Sequence, residues 1–204
     1  MKDLRWILVL VAATLSFASF ANVVGVSTHP FTLKNKVITT EVTGNFSGGS
    51  GVGVQGRYFQ RINQDLNVDA GFGISGGERS SRIFLGADYL LYPDHNKQPR
   101  ISMKGTFEKL REFEASYTAL GLTPTVSKGF VFWGNEAFPF VALPIKLGLD
   151  SDTSRYQTIS SLAMGITGRL PINGYRHLIG NIEANLDIKN SYTGLYFGVS
   201  YPIK

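Results

Sequence analysis

The stretch Val52–Ser75, reading VGVQGRYFQRINQDLNVDAGFGIS, limits the possible fold more than any other part of the chain. Val52, Val54, Gly56 and Tyr58, then Leu66, Val68, Ala70, Phe72 and Ile74, occupy every second position. Between them fall Gln55, Arg57 and Arg61, then Asn67, Asp69, Gly71, Gly73 and Ser75. Alternation with period two is what a strand produces, because successive side chains point to opposite faces. Asn63-Gln64-Asp65 separates the halves and has the length and composition of a hairpin loop. Pairing Ile62 with Leu66 sets Tyr58 opposite Ala70 and Gly56 opposite Phe72, which puts the apolar residues on one face. Arg57 and Arg61 then lie diagonal to Asp69 on the other face, within reach of long side chains.

The same pattern recurs along the chain. Strands are expected at Lys36–Phe46, Arg82–Tyr92, Arg100–Glu108, Phe113–Gly121 and Tyr156–Leu170. A closing hairpin pairs Ile182 with Phe197 and Ala184 with Leu195, turning at Lys189-Asn190. Phe138–Leu149 alternates but carries Pro139 and Pro144, which cannot donate to a ladder, so a distortion is expected there. Thr123–Ala137 reads either as an extension of the preceding strand or as a long turn. The total is about ten strands of about ten residues, the length that crosses a bilayer when tilted, or eight if the ambiguous region is merged. Loops are expected at Ser47–Ser50, Gly76–Ser81, Lys109–Glu112 and Asp150–Arg155.

The chain has 204 residues, 23 glycines and no cysteine, so neither a disulfide nor a thiolate enters its chemistry. Lys2 and Arg5 precede the apolar run Trp6–Phe17, and Ser19-Phe20-Ala21 supplies small residues where a signal peptidase reads. Residues 1–21 are therefore expected to be a signal peptide cleaved after Ala21. Its removal takes away Lys2, Arg5 and Asp3 and lowers the net charge of +5 by one. That modest, dispersed excess argues against a nucleic-acid partner. Residues 22–35 read as a periplasmic N-terminal tail or short plug, and 36–204 as the barrel. No later stretch reads as a membrane-spanning helix, so any membrane-spanning form must be a closed barrel, which alone satisfies every backbone group in lipid.

Alternation alone does not say which face is outside. A lipocalin-type carrier is apolar inside, whereas an outer-membrane barrel is the reverse. Three features favour the second. The polar face carries charges of both signs, Arg57, Asp69, Asp88, Lys104, Arg169 and Glu183, suited to pairing across a narrow lumen. Aromatic residues, among them Tyr58, Tyr89, Phe107, Tyr117, Phe138 and Tyr201, gather near strand ends as interfacial girdles do. An export signal precedes the strands. The fold expected is all-β: a closed antiparallel up-and-down transmembrane barrel. Signal peptide, strand pattern and the ending Leu195–Lys204 (LYFGVSYPIK) together resemble the small bacterial outer-membrane β-barrels, such as the OmpA transmembrane domain and the opacity and porin-like families. In those families the last strand ends in an aromatic residue that the assembly machinery reads; here the last aromatic is Tyr201 and lysine ends the chain. The resemblance implies outer-membrane localisation, with lipid, lipopolysaccharide and that machinery as partners.

Catalysis needs a nucleophile beside a base. His29, His95 and His177 are the only histidines, and threading the barrel puts all three at the periplasmic end. Lipid-modifying enzymes that resemble this class work near the outer leaflet. Asp150, Asp152 and Glu78 lie in loops and read as solvation rather than a calcium site. No catalytic residue, metal or cofactor is expected. The six lumen charges read as ion pairs that fill the interior, or as a constriction passing small solutes. A structural or narrow passive-permeation role in the envelope follows. The alternatives are a lipid-modifying hydrolase or acyltransferase and a soluble lipocalin-like periplasmic carrier.

Overall fold

The computed structural model describes residues 23–32, 36–47, 51–75, 79–112, 115–132, 134–151, 153–172 and 174–203. The expected signal peptide lies outside them. Alternating sequence produces strands nearly everywhere: β1 (Lys36–Asn45), β2 (Gly51–Arg61), β3 (Leu66–Ser75), β4 (Arg79–Tyr92), β5 (Arg100–Glu112), β6 (Ala115–Ser127), β7 (Phe130–Phe132), β8 (Asn135–Ala142), β9 (Ile145–Asp150), β10 (Tyr156–Arg169), β11 (Ile179–Lys189) and β12 (Gly194–Ile203). Each barrel strand pairs antiparallel with its neighbours, and β12 bonds to both β11 and β1, which closes the cylinder. Closure leaves no lateral edge with unpaired N–H and C=O groups.

The opening hairpin has the register its alternation dictates. Tyr58 faces Ala70 and Gly56 faces Phe72, and Ile62 N–H donates to Leu66 O at 2.9 Å. The closing hairpin pairs Ile182 with Phe197 and Ala184 with Leu195. Its ladder stops at Asn185 and Gly194, and the turn beyond is tied by Asp187 rather than being a two-residue loop: Ser191 N–H donates to Asp187 Oδ1 at 2.9 Å. Lys109–Glu112, expected as a loop, continues β5 and pairs with β4 and β6. The charges mislead there because Lys109 and Arg111 take exposed outer positions near the strand end.

Twelve strand segments make ten barrel strands because β7 continues β6 and β9 continues β8 in unbroken register. Thr123–Ala137 is therefore the turning end of one long hairpin. Prolines cause one of the breaks. Pro124 sits opposite Leu143, and Pro144 lies beside Ser161; both lack an N–H, although their carbonyls still accept from Leu143 N (3.1 Å) and Ser161 N (3.1 Å). The hairpin turns at Gly134, where φ is +74° and no neighbouring atom lies within 4 Å of the position a Cβ would take.

The barrel is inverted relative to a soluble protein. Phe72, Ile74, Ile83, Leu120, Leu122, Leu147, Ile182 and Phe197 point outward and are exposed, whereas Glu41, Gln55, Arg57, Asp69, Lys104, Glu108 and Glu183 point inward and are buried. Leu120 is 63% exposed while Arg57 is 2% exposed. Residues 23–32 of the N-terminal lead-in enter the barrel as a plug. A short 3₁₀ turn, Gly25–Thr28, lies inside the barrel, and Val23, Val24, Val26 and Phe31 are buried there. Val26 and Phe31 pack with Val37, Phe59 and Ile179; Val24 packs with Phe140, Ala142 and Ala163. The plug thus occupies the end of the barrel where β1 begins and β12 finishes, called here the terminal end.

At Gly134 an alanine would meet open space, so its cost comes from the left-handed backbone alone. Gly134→Ala is expected to destabilise by about 1–2 kcal/mol, measured by equilibrium unfolding in urea.

Candidate functional site

Inward-facing residues of neighbouring strands meet because closure brings ten polar faces around one axis. The central group is built from β1, β2, β3 and β5. Arg57 Nε lies 3.3 Å from Glu41 Oε1, and Arg57 Nη1 lies 3.0 Å from Asp69 Oδ2. Lys104 Nζ donates to the same Asp69 Oδ2 at 2.8 Å, and Gln55 Nε2 donates to Glu41 Oε2. Two cations and two carboxylates balance. Gly86 makes the room for them: a Cβ there would stand 2.4 Å from Asp69 Oδ1 and 2.7 Å from Lys104 Cε.

A second group lies toward the far end. Arg82 Nη2 and Lys146 Nζ approach the two oxygens of Glu108 at 2.8 and 2.9 Å. The Phe84 ring joins the groups, with the Arg57 and Arg82 guanidinium carbons 4.9 and 4.8 Å from its centroid. A third group faces the terminal end, where Arg100 Nη2 donates to Asp88 Oδ2 at 2.8 Å and Asn67 Nδ2 reaches the same oxygen at 3.4 Å.

Glu183 is bound differently. Among the described residues it forms no ion pair. Its Oε2 accepts from Val24 N at 2.8 Å and from Gly25 N at 3.1 Å, two plug amides. Thr167 Oγ1 donates to Gly25 O at 2.8 Å, and Arg61 Nη1 donates to Phe31 O. Side chains of the wall thereby bond Val24 N, Gly25 N, Gly25 O and Phe31 O of the plug, while Ser27 N donates to Val24 O within it.

Of the six charges expected in the lumen, Arg57, Asp69 and Lys104 meet in one cluster, Asp88 pairs with Arg100, and Glu183 holds the plug. Arg169 departs from the expectation: it is exposed at the end of β10, because the strand ends there and its side chain reaches the mouth. Arg61 also departs, giving its donors to the Asn63, Gln64 and Phe31 carbonyls instead of Asp69. Alternation did carry a signal for the partners left out of the expected set, Glu41, Arg82, Glu108 and Lys146, which all stand at inward positions of their strands.

Of the aromatics expected at a membrane interface, Tyr58, Tyr89, Phe107 and Tyr201 face outward. Phe107 sits at mid-strand, away from either rim. Tyr117 and Phe138 take inward positions, the faces of Ala119 and Phe140. Phe138 covers the plug, its ring 5.3 Å from that of His29 in an edge-on contact. Phe138 follows Pro124, Gly129 and Gly134, where no clean alternation could be counted, whereas Tyr117 sits in an alternating strand whose outer face is set by Leu120 and Leu122 instead.

His29, placed by sequence in an N-terminal tail or plug, is buried in the plug between Phe31 and Phe138. Burial, reinforced by the positive charge of Arg169, pushes its pKa down to about 4. His95 is exposed in the β4–β5 turn; His177 is exposed and stands edge-on to Tyr201. Among the described residues no group of three or more His, Asp or Glu side chains converges to hold a metal ion.

The chain is thus a closed ten-stranded antiparallel barrel with an ion-paired interior, an apolar exterior and an internal plug. No family model matches it. No curated protein matches it. One solved structure, described as "De novo design of transmembrane beta-barrels", aligns with a TM-score of 0.42 and 14% identity, covering 86% of this chain and 100% of that one.

Two outcomes are expected. Arg57→Met strands Glu41 in the interior and leaves Asp69 with Lys104 alone; a loss of about 3–5 kcal/mol is expected, read from urea unfolding. His29 is neutral when the plug is seated and gains a proton more readily when it is released. Plug seating is therefore fully supported above the ordinary histidine value of 6.5 and weakens as pH falls from there toward about 4. Protection of the Val24 and Gly25 amides, taken relative to intrinsic exchange at each pH, is expected to fall over that window, and His29→Phe to reduce this dependence.

Proposed function

We propose that this protein is an integral outer-membrane β-barrel, non-enzymatic, with a sealed lumen and a structural role in the cell envelope. One observation carries the reading: the chain buries its ions and exposes its oils. Outward residues such as Phe72, Ile83, Leu120, Leu122 and Phe197 would form a sticky jacket in water, far beyond the apolar patches a soluble monomer tolerates. In hydrocarbon the same jacket is solvated, and the closed ladder leaves no lateral edge to desolvate. A lipocalin-like carrier requires the opposite orientation.

The sealed-lumen part rests on what fills the interior. Arg57, Phe59, Phe84, Lys104, Glu108 and Tyr196 are fully buried across the barrel, and the plug closes the terminal end. That filling supports ion pairing as the role of the lumen charges and weighs against a permeation constriction. Localisation to the outer membrane is supported by the signal-like 1–21 segment together with the barrel architecture. Lipid and lipopolysaccharide at the jacket, and the assembly machinery reading β12, are the partners this localisation implies.

The test combines fractionation with conductance. The protein is expected to resist carbonate extraction, to stay with the outer membrane after osmotic shock, and to migrate differently in gels before and after boiling. Recovery in the osmotic-shock fluid would end the membrane reading. Leu120→Arg is expected to cost about 2–4 kcal/mol in vesicle-refolding titrations, as for a basic residue facing the bilayer midplane. In planar bilayers the native protein is expected to give no steady conductance, and a reproducible open channel would overturn the sealed lumen.

A further inference from the structure

At the terminal end the barrel opens into a cavity of about 370 Å³ beside the plug. Its walls include Arg61 at the end of β2, Arg100 and Ser127 at the adjoining ends of β5 and β6, Phe138 on β8, and His29 in the plug. Volumes of this order hold small-molecule ligands. Three of these residues each bury a polar atom that has no hydrogen-bond partner among the described residues: Arg100 Nη1, Ser127 Oγ and His29 Nδ1. Ser127 and His29 are more than nine-tenths buried. Buried polar groups ordinarily find a partner. Three such groups around one cavity call for a partner that the chain itself does not supply.

Register brings two of the three together. Arg100 is the direct cross-strand partner of Ser127, so their side chains leave one face about 5 Å apart. That face is the inner one, shared with Ser102 and Thr125 of the next pair. Asp88 fixes Arg100 Nη2 at 2.8 Å, which holds the guanidinium in place while Nη1 stays unbonded. The charges at the mouth give the sign of the missing partner. Asp88 is matched by Arg100 and Asp94 by Lys128, and the β8–β10 register continues to Arg169 opposite Glu136. Arg61 is left over: its nitrogens meet the carbonyls of Phe31, Asn63 and Gln64, which bond it without neutralising it. Asp65 is exposed in the adjoining turn, where water and salt screen it. Glu136 stands four residues outward of Phe140, the β8 residue opposite Ser127, roughly 13 Å along the strand, too far to oppose an anion at Arg100. Water serves an unpaired hydroxyl well, but it does not offset a surplus cation.

We propose that this cavity binds a small organic carboxylate from the compartment that the terminal end faces. The carboxylate oxygens accept from Arg100 Nη1 and Ser127 Oγ, near the surplus charge of Arg61, and the apolar body lies against Phe138 and Leu90. His29 Nδ1 offers a third polar contact. One guanidinium nitrogen and one hydroxyl match two oxygens that share a single charge, which suits a carboxylate better than a phosphate. The wall of Phe138, Leu90 and Pro93 is surface that an inorganic ion leaves unused. Such binding needs no opening of the lumen. The interior below stays filled by Arg57 and Lys104, and the guest enters and leaves by the same mouth. The proposal stands on the cavity alone and is independent of what surrounds the jacket.

Isothermal titration calorimetry on the full chain in detergent micelles tests this with benzoate, benzamide, benzylammonium and inorganic phosphate as probes. Benzoate is expected to bind saturably, roughly tenfold or more tighter than each of the others. Ser127→Ala is expected to weaken benzoate several-fold. Arg100→Gln combined with Asp88→Asn removes the guanidinium without stranding its carboxylate, and is expected to abolish benzoate binding. Folding of each variant is checked by its gel shift on boiling. Absence of benzoate binding overturns the proposal and leaves the mouth to water. Equal heats from benzoate and benzamide report partition into the micelle and overturn it too. Tighter binding of benzylammonium overturns the sign, and phosphate binding as tight as benzoate overturns the organic body. Benzoate binding that survives both variants overturns the site. The probe series on the native chain decides the question even where a variant fails to fold.

Discussion

A charge enclosed by a barrel wall has no bulk water to hydrate it, so each interior ion must find its complement on another strand. This requirement organises the molecule. Arg57 can be buried because Glu41 and Asp69 approach it from β1 and β3, and Asp69 is shared with Lys104 from β5. Residues far apart in sequence, from 41 to 104, become one neutral object only after the sheet has curved. Partial formation leaves desolvated charge, which costs more than the completed network returns. The interior therefore favours one register: a slip by a single residue would send Arg57, Asp69 and Lys104 outward together.

Backbone closure and charge closure are thus the same event seen on two scales. The jacket contributes little discrimination among registers, since one outward branched aliphatic side chain resembles another. The interior discriminates sharply. Gly86 shows how tightly: its missing side chain is the volume that Asp69 and Lys104 occupy. Phe84, pressed between Arg57 and Arg82, extends the central cluster toward Glu108 without adding a carboxylate.

How much of this was legible in the sequence depends on the range of the interaction concerned. The Val52–Ser75 hairpin was readable in full, down to Tyr58 opposite Ala70, because a short turn and clean alternation fix register locally. The inward direction of Arg57, Asp69, Asp88, Lys104 and Glu183 was readable for the same reason. Arg57 was readable as a neighbour of Asp69 within that hairpin, but the partners on other strands, Glu41, Lys104 and Arg100, were not assigned, since that depends on how the sheet curves. Phe138 was assigned to the wrong face where prolines and glycines interrupt the count, and Tyr117 because Phe113, Ala115 and Tyr117 were read as the apolar face of a strand whose Leu120 and Leu122 point outward. The seating of the plug was the least legible feature. Val24 and Glu183 stand 159 positions apart, and a segment without periodicity announces nothing about where it will rest.

The plug's placement follows from the same electrostatic demand. The central cluster reaches neutrality with its own residues, so Glu183, which β12 separates from the Glu41 strand, needs a different kind of complement. Backbone amides supply it: two N–H groups of an irregular segment aim at one carboxylate oxygen, while Thr167 takes the carbonyl of Gly25. A regular strand could not do this, because its amides are committed to the ladder. A non-periodic lead-in with free amides, small residues and a few apolar anchors suits the position. Val26 and Phe31 then seal it against Val37, Phe59 and Ile179, apolar inward residues that a polar lumen would otherwise have no reason to hold. The apolar patch inside the terminal end and the uncommitted carboxylate above it are two halves of one seat, and the sequence that fills them lies immediately upstream of the first strand.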